Sequence, residues 1–232
     1  EKRRWVLANN TTIPVVKSKQ ASFGLSYNKN KLLITAEAYI KKVNGITTRS
    51  QGFQNQYQFV NAIGNYEIKG VDILINKQFQ KFGTWLSYSY SKNDYTFEDL
   101  NGGASFPNNF DITHVIDFAG TFTLDDLKLA LGLNWHSGRP FTTPNYEDSN
   151  NNTIIYQSPN NSRLDDYLRT DFSATYQFNL GKNKAILGAS IWNLLNQKNT
   201  INTYYAINDG EISKIENQSL GITPNVSFKF RF

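Results

Sequence analysis

The 232-residue chain contains no cysteine and no methionine, and its only histidines are His114 and His136. Without cysteine there is no disulfide framework, no thiolate nucleophile and no cysteine-based zinc site. Two histidines leave too few ligands for a histidine-rich metal centre. No run of eighteen apolar residues occurs, which rules out a transmembrane helix. The opening Glu1-Lys2-Arg3-Arg4-Trp5 has neither an initiating methionine nor a signal-peptide pattern and reads as mid-chain sequence, so a fragment or a processed chain is expected. The net charge of +5 comes from lysines and arginines scattered singly, with short clusters only at residues 2–4 and 41–42. A nucleic-acid binder gathers such charge on one element, so no nucleic-acid partner is expected.

What the chain has is alternation. Leu127, Leu129, Leu131, Leu133 and Trp135 alternate with Lys128, Ala130, Gly132, Asn134 and His136. Phe172, Ala174, Tyr176, Phe178 and Leu180 alternate with Asp171, Ser173, Thr175, Gln177 and Asn179. Over residues 111–124, Ile112, Ile116, Phe118, Phe122 and Leu124 share one parity, and Val115 and Ala119 are the exceptions on the other. Leu86, Tyr88 and Tyr90 alternate with serines, and Val71, Ile73 and Ile75 with Asp72, Leu74 and Asn76. Successive strand side chains point to opposite faces, so each segment presents one apolar and one polar face. Strands at 21–28 and 31–43, a less strict one at 184–195 and a last one at 226–232 bring the expected total to nine.

The connections separate into short turns at 28–31, 79–82, 124–127 and 180–183, and long Asn-, Gly-, Ser- and Thr-rich segments at 44–62, 96–109, 138–166 and 196–220. Short and long alternate strictly, so every long loop leaves from the same end. A soluble sandwich has no reason for this, whereas an outer-membrane barrel places tight turns on the periplasmic side and long loops outside. The polar face is dominated by Ser, Thr, Asn, Gly and Gln, which suits a wet lumen. Tyr88, Tyr90, Trp135, Tyr176 and Phe178 are candidates for interfacial aromatic girdles. A mean hydropathy of -0.50 fits strands that give only one face to lipid. The expected fold is all-β, an antiparallel transmembrane β-barrel. Nine strands do not close such a barrel, so the chain is expected to be part of one, with residues 1–232 forming a single portion.

Several stretches carry a resemblance: Tyr66-Glu-Ile-Lys-Gly-Val-Asp-Ile73, Gly83-Thr-Trp-Leu-Ser-Tyr-Ser-Tyr-Ser91, Phe106-Pro-Asn-Asn-Phe-Asp-Ile-Thr-His114, Trp135-His-Ser-Gly-Arg-Pro-Phe141, Leu168-Arg-Thr-Asp-Phe-Ser173, Ile191-Trp-Asn-Leu-Leu-Asn196 and Phe228-Lys-Phe-Arg-Phe232. In this order the chain, from about Trp5 to Phe232, resembles the C-terminal part of the barrel of a TonB-dependent outer-membrane receptor. The resemblance implies a Gram-negative outer membrane and a 22-stranded barrel, of which these are the last nine strands. It implies an N-terminal plug and a TonB-contacting segment upstream, and TonB-dependent uptake of a nutrient ligand. Phe228, Phe230 and Phe232 resemble the C-terminal signal read by the barrel-assembly machinery, although Ser227 stands where Gly is often found. The resemblance leaves room for a surface lipoprotein as a further partner. A barrel held as client or structural partner of an assembly or secretion complex, a small passive porin and a barrel enzyme are the alternatives.

No cofactor, metal site or catalytic group is expected. His114 and His136 fall one residue out of register across the 124–127 turn, on opposite faces, where they cannot readily share an ion. Asp111, Asp117, His136, Asp165 and Asp166 form no Ser-His or Asp-His arrangement by spacing. Asp209-Gly210 marks a turn within the last long loop. Substrate of the parent barrel would meet the loop tips and upper lumen. Trp135, His136, Arg139, Tyr146 and Tyr156 are therefore the candidate ligand-side residues, aromatics for stacking on rings and Arg139 for an anionic group or a loop contact.

Overall fold

The computed structural model describes residues 7–9, 11–51, 62–150 and 152–232. The opening residues 1–6 and most of the first long connection, residues 52–61, lie outside them. The nine expected strands are present as one antiparallel meander, β1 (Lys17–Lys29), β2 (Leu32–Thr47), β3 (Ile63–Gln78), β4 (Phe82–Phe97), β6 (His114–Leu124), β7 (Leu127–His136), β10 (Tyr167–Leu180), β11 (Asn183–Trp192) and β14 (Thr223–Arg231). Five further strands lie in the long connections: β5 (Phe106–Pro107) on β4, β8 (Pro140–Phe141) with β9 (Ser162–Arg163), and a hairpin of β12 (Thr200–Asn208) and β13 (Glu211–Gln218).

The turns follow from local chemistry. Asn30 and Lys31 both take positive φ in the two-residue β1–β2 turn, Asp125 opens the β6–β7 turn and Gly181 the β10–β11 turn in the same way. These left-handed conformations match the right-handed twist of the strands they join. The β2 strand continues past residue 43, where the alternation ends, because Gly45 forms a bulge (φ 81°) that shifts the register between Asn44 and Ile46. A Cβ there would lie 2.9 Å from the Val15 carbonyl oxygen. The β11 strand stops at Trp192, short of residue 195, because Asn193 turns the chain at φ 51°.

The register places the two faces as the alternation predicts. One row across seven strands reads Leu25, Ala36, Ile73, Tyr88, Ile116, Trp135 and Leu168. The opposite row reads Ser26, Thr35, Leu74, Ser87, Asp117, Asn134 and Arg169, and the Asn134 amide donates to the Asp117 carboxylate. Phe23, Val226 and Phe228 on the apolar face are 70%, 79% and 62% exposed. Among the described residues no second layer covers this face. In water so large an apolar sheet would be an association surface; against hydrocarbon it is the correct exterior.

Among the described residues a compact core exists at one place. Val43, Ile46, Ala62, Tyr95, Phe97, Leu100 and Phe106 are buried together where the connection after β4 folds back over the polar face. The rings of Tyr95 lie 5.5 Å from Phe97 and 5.8 Å from Phe106. Val43, Tyr95 and Phe97 are apolar residues on the polar parity, and they occur only at the long-loop end of their strands.

Candidate functional site

The long connections are knitted into one cap over the loop end of the sheet. Asp111, 2% exposed, accepts from the Asn93 backbone N–H at 2.8 Å and pairs with the Arg163 guanidinium, which also donates to the carbonyls of Asp111 at 2.8 Å and Gly138 at 3.0 Å. Asn160 donates to the Pro107 carbonyl at 2.7 Å and to Asn109 Oδ1 at 2.8 Å, binding the loop after β7 to the loop after β4. Asn199 exchanges two 2.9 Å bonds with the backbone of Leu168, and Asn193 Nδ2 holds the carbonyls of Gln197 and Leu220. These amides do for irregular backbone what strand partners do for regular backbone.

Within the cap lies a cavity of about 120 Å³ lined by Arg139, Phe141, Tyr156, Asn160, Asn202, Thr203, Tyr204 and Tyr205, among others. That volume suits one ring or a cluster of waters, and is smaller than a whole drug-sized site. Arg139 Nη2 donates to Asn202 Oδ1 at 2.8 Å, which aims the guanidinium from the β7 exit at the β12–β13 hairpin. Thr203 is 8% exposed and its hydroxyl has no hydrogen-bond partner among the described residues. A buried unpaired hydroxyl is costly, so its presence in a cavity wall marks a place for an incoming polar group or water. The Tyr156 and Tyr205 rings stand edge-on at 6.4 Å, and Lys214 Nζ lies 5.8 Å from the Phe141 ring centre and 2.5 Å from Glu216.

Burial holds the Tyr156 hydroxyl above its ordinary value of 10.0. Tyr205 is raised too, chiefly by burial, with Tyr146 adding. A raised phenol pKa contributes stability that is complete below the unfolded value and declines as pH rises beyond about 10. The cap is therefore expected to loosen in alkali. Ultraviolet phenolate titration should show a late-ionising component that Tyr156→Phe and Tyr205→Phe each diminish; no change in either variant would contradict the burial.

The structure brings Arg139 and Tyr156 together at the cavity, with Tyr146, 61% exposed, close enough to influence Tyr205. His136 stacks on Tyr167 at 4.8 Å on the polar face below. Trp135 stands apart from these four: its row-mates are Ile116 and Leu168 on the apolar face. Sequence reasoning missed Thr203, Asn202 and Tyr205, all on the β12 strand; the Asp209-Gly210 turn, with φ values of 52° and 81°, was the signal for that hairpin. His114 and His136 are one residue out of register on opposite faces. His114 instead meets the Tyr88 hydroxyl at 3.0 Å. No metal-binding cluster occurs among the described residues. Asp111 serves the Arg163 pair and Asp166 accepts from the Gly138 N–H at 3.1 Å.

Residues 6–194 match the family described as TonB dependent receptor-like, beta-barrel. The chain belongs to this family of outer-membrane receptor barrels. No curated protein matches it in sequence. Among solved structures it is similar to the FrpB iron transporter of Neisseria meningitidis (11% identity, TM-score 0.63, 92% of this chain and 31% of that one). It is likewise similar to Pseudomonas aeruginosa FpvA bound to a heterologous pyoverdine (12%, 0.62, 94% and 27%) and to the Escherichia coli outer-membrane transporter YddB (14%, 0.58, 98% and 34%). At these identities the likeness is one of fold. The chain spans about a third of the length of these relatives. The apolar face is thus the lipid side of a barrel wall and the polar face its lumen.

Proposed function

We propose that this wall belongs to a receptor that imports a nutrient ligand across the outer membrane with energy relayed by TonB. The observation that carries the reading is the cavity formed by Arg139, Tyr156 and Thr203 at the long-loop end of the wall, where a ligand arriving from outside would be captured. β1 and β14 are not paired with one another. Open edges in hydrocarbon leave backbone groups unsatisfied at several kcal/mol each, so upstream strands complete the cylinder, to 22 in the plugged transporters. Residues 1–232 form one portion of it, with the plug and TonB-contacting segment upstream. Phe228 and Phe230, row-mates of Leu187 and Ala185 on the lipid side, with Phe232, form the aromatic strand that the barrel-assembly machinery reads. A surface lipoprotein would find the loop cap on the same side.

The solved relatives named for iron and ferric pyoverdine make iron chelates the first ligands to try. This chain has no native cysteine, so once any cysteine of the upstream segment is replaced by serine, single cysteines at 135, 139, 146, 156 and 203 of the full-length receptor report cleanly. Ferric chelates and oligosaccharides are added in turn. Labelling should be blocked by the cognate ligand at 139, 156 and 203 and unaffected at Trp135, which faces lipid. Uniform labelling with every ligand class would remove the cavity from the transport path.

A further inference from the structure

On the lipid side of β1–β4 the apolar rows end before the strands do. The last apolar row toward the long connections is Phe23, Ala38, Val71 and Tyr90, with His114 beside Tyr90. The next row outward is Ala21, Ile40, Lys69 and Lys92, and the one after it Lys19, Lys42, Glu67 and Asp94. Lys17 follows one row further out. All share the lipid-facing parity. Five lysines against two carboxylates leave a positive collar.

The carboxylates organise this collar without hiding it. Lys42 lies 2.7 Å and Lys69 3.5 Å from Glu67, and Lys92 3.1 Å from Asp94. The three lysine side chains are nevertheless 62%, 59% and 53% exposed. Rows on one face are about 6–7 Å apart along a strand, less when it tilts, so the ammonium groups stand roughly 5–15 Å beyond the Tyr90 row. Tyr and Trp rings sit at headgroup level in a membrane protein. Lysine stems can lie along the apolar rows while the ammonium reaches outward. At the opposite strand ends the same face carries Lys29 and Lys77, and Lys77 is turned onto its own hairpins, donating to the Asn30 carbonyl at 3.0 Å and lying 5.4 Å from the Phe79 ring centre.

We propose that Lys17, Lys19, Lys42, Lys69 and Lys92 form a binding collar for the phosphate groups of an anionic lipid in the outer leaflet. The occupant is a lipid because the charged rows continue the lipid-contacting face without a break and begin where its hydrocarbon band ends. Its phosphates complement the surplus of ammonium groups. The site is independent of the ligand cavity, which lies on the loop cap.

The test uses the full-length receptor in nanodiscs of phosphatidylcholine doped with diphosphorylated lipid A or with its dephosphorylated form. The bound lipid is counted by mass spectrometry after re-isolation. Wild type should retain the phosphorylated lipid on the order of tenfold better than a variant carrying Lys19→Gln, Lys42→Gln, Lys69→Gln and Lys92→Gln. Arginine at the same four positions should restore retention and show that the sites fold. A lumen-facing control, Lys128→Gln with Lys184→Gln, should behave as wild type. Equal retention by the glutamine variant, equal retention of the dephosphorylated lipid, or an equal loss in the lumen control would overturn the proposal. So would finding the collar occupied by a protein regardless of lipid.

Discussion

Leu131→Lys should destabilise the assembled receptor by about 2–4 kcal/mol, whereas Ala130→Lys, one residue away, should stay within about 1 kcal/mol of wild type. Leu131 lies in the row Gly120, Leu131, Phe172 and Ile191, near the middle of the apolar band that runs from Leu127 to Trp135 on β7. A cation there must lie in hydrocarbon or drag water and headgroups inward. Ala130 belongs to the row Thr121, Ala130, Ser173 and Ser190 on the lumen face, where Lys128 already sits two residues away. The pair holds residue type, strand and depth nearly constant and changes only the solvent. Denaturant titration of the receptor refolded into bilayers measures both. A similar loss in the two variants would mean that the faces are not lipid and lumen.

That contrast was legible in the sequence, because a period of two in side chains is the period of the strand itself. All nine long strands and the four tight turns follow from it. The strand ends were less legible for a physical reason. Beyond the hydrocarbon band nothing enforces apolar residues on the outer face, and Lys42, Glu67, Lys69 and Lys92 break the rhythm while the backbone ladder continues. The third strand thus reads from Val71 but begins at Ile63, and the second continues through the Gly45 bulge.

The cap was largely illegible. Asp111 and Arg163 are 52 residues apart, and an arginine in a polar loop carries no local sign of its partner. Asn160, Asn193 and Asn199 look like ordinary turn residues, yet each satisfies backbone groups of a distant segment. The β12–β13 hairpin is wetted on much of both faces, so its side chains alternate poorly. Trp135 is different, since the alternation that put Leu133 on the lipid side put it there as well. Its position near the long-loop end suggests a ligand-side role beside His136 and Arg139, but adjacent strand residues point to opposite faces.

Gly138→Ala should collapse the cap while leaving the nine long strands paired. A Cβ on Gly138 would lie 1.6 Å from the carbonyl oxygen of Leu164 and 2.5 Å from its carbonyl carbon. Both contacts are with backbone, so no rotamer relieves them and the two arms of the loop after β7 must separate. Separation removes the bond from Arg163 to the Gly138 carbonyl and carries Arg163 away from Asp111. Asp111 would then be a buried carboxylate without its cation, a loss of about 3 kcal/mol before any relaxation. Arg163→Ala produces that second half alone, without the backbone clash, and should loosen the same loop less completely. Limited proteolysis of the receptor in detergent should nick Gly138→Ala fastest within residues 142–161 and Arg163→Ala more slowly, with wild type resistant. Both variants should migrate as folded barrels before heating. Cysteine labelling at 156 should lose its ligand protection in the same order, because the wall that carries Arg139 no longer faces the hairpin that carries Asn202 and Thr203. Loss of the folded barrel itself would show that the cap is part of its stability. Wild-type protease resistance in Gly138→Ala would show that the Leu164 carbonyl is not held where the pairing of β8 and β9 puts it.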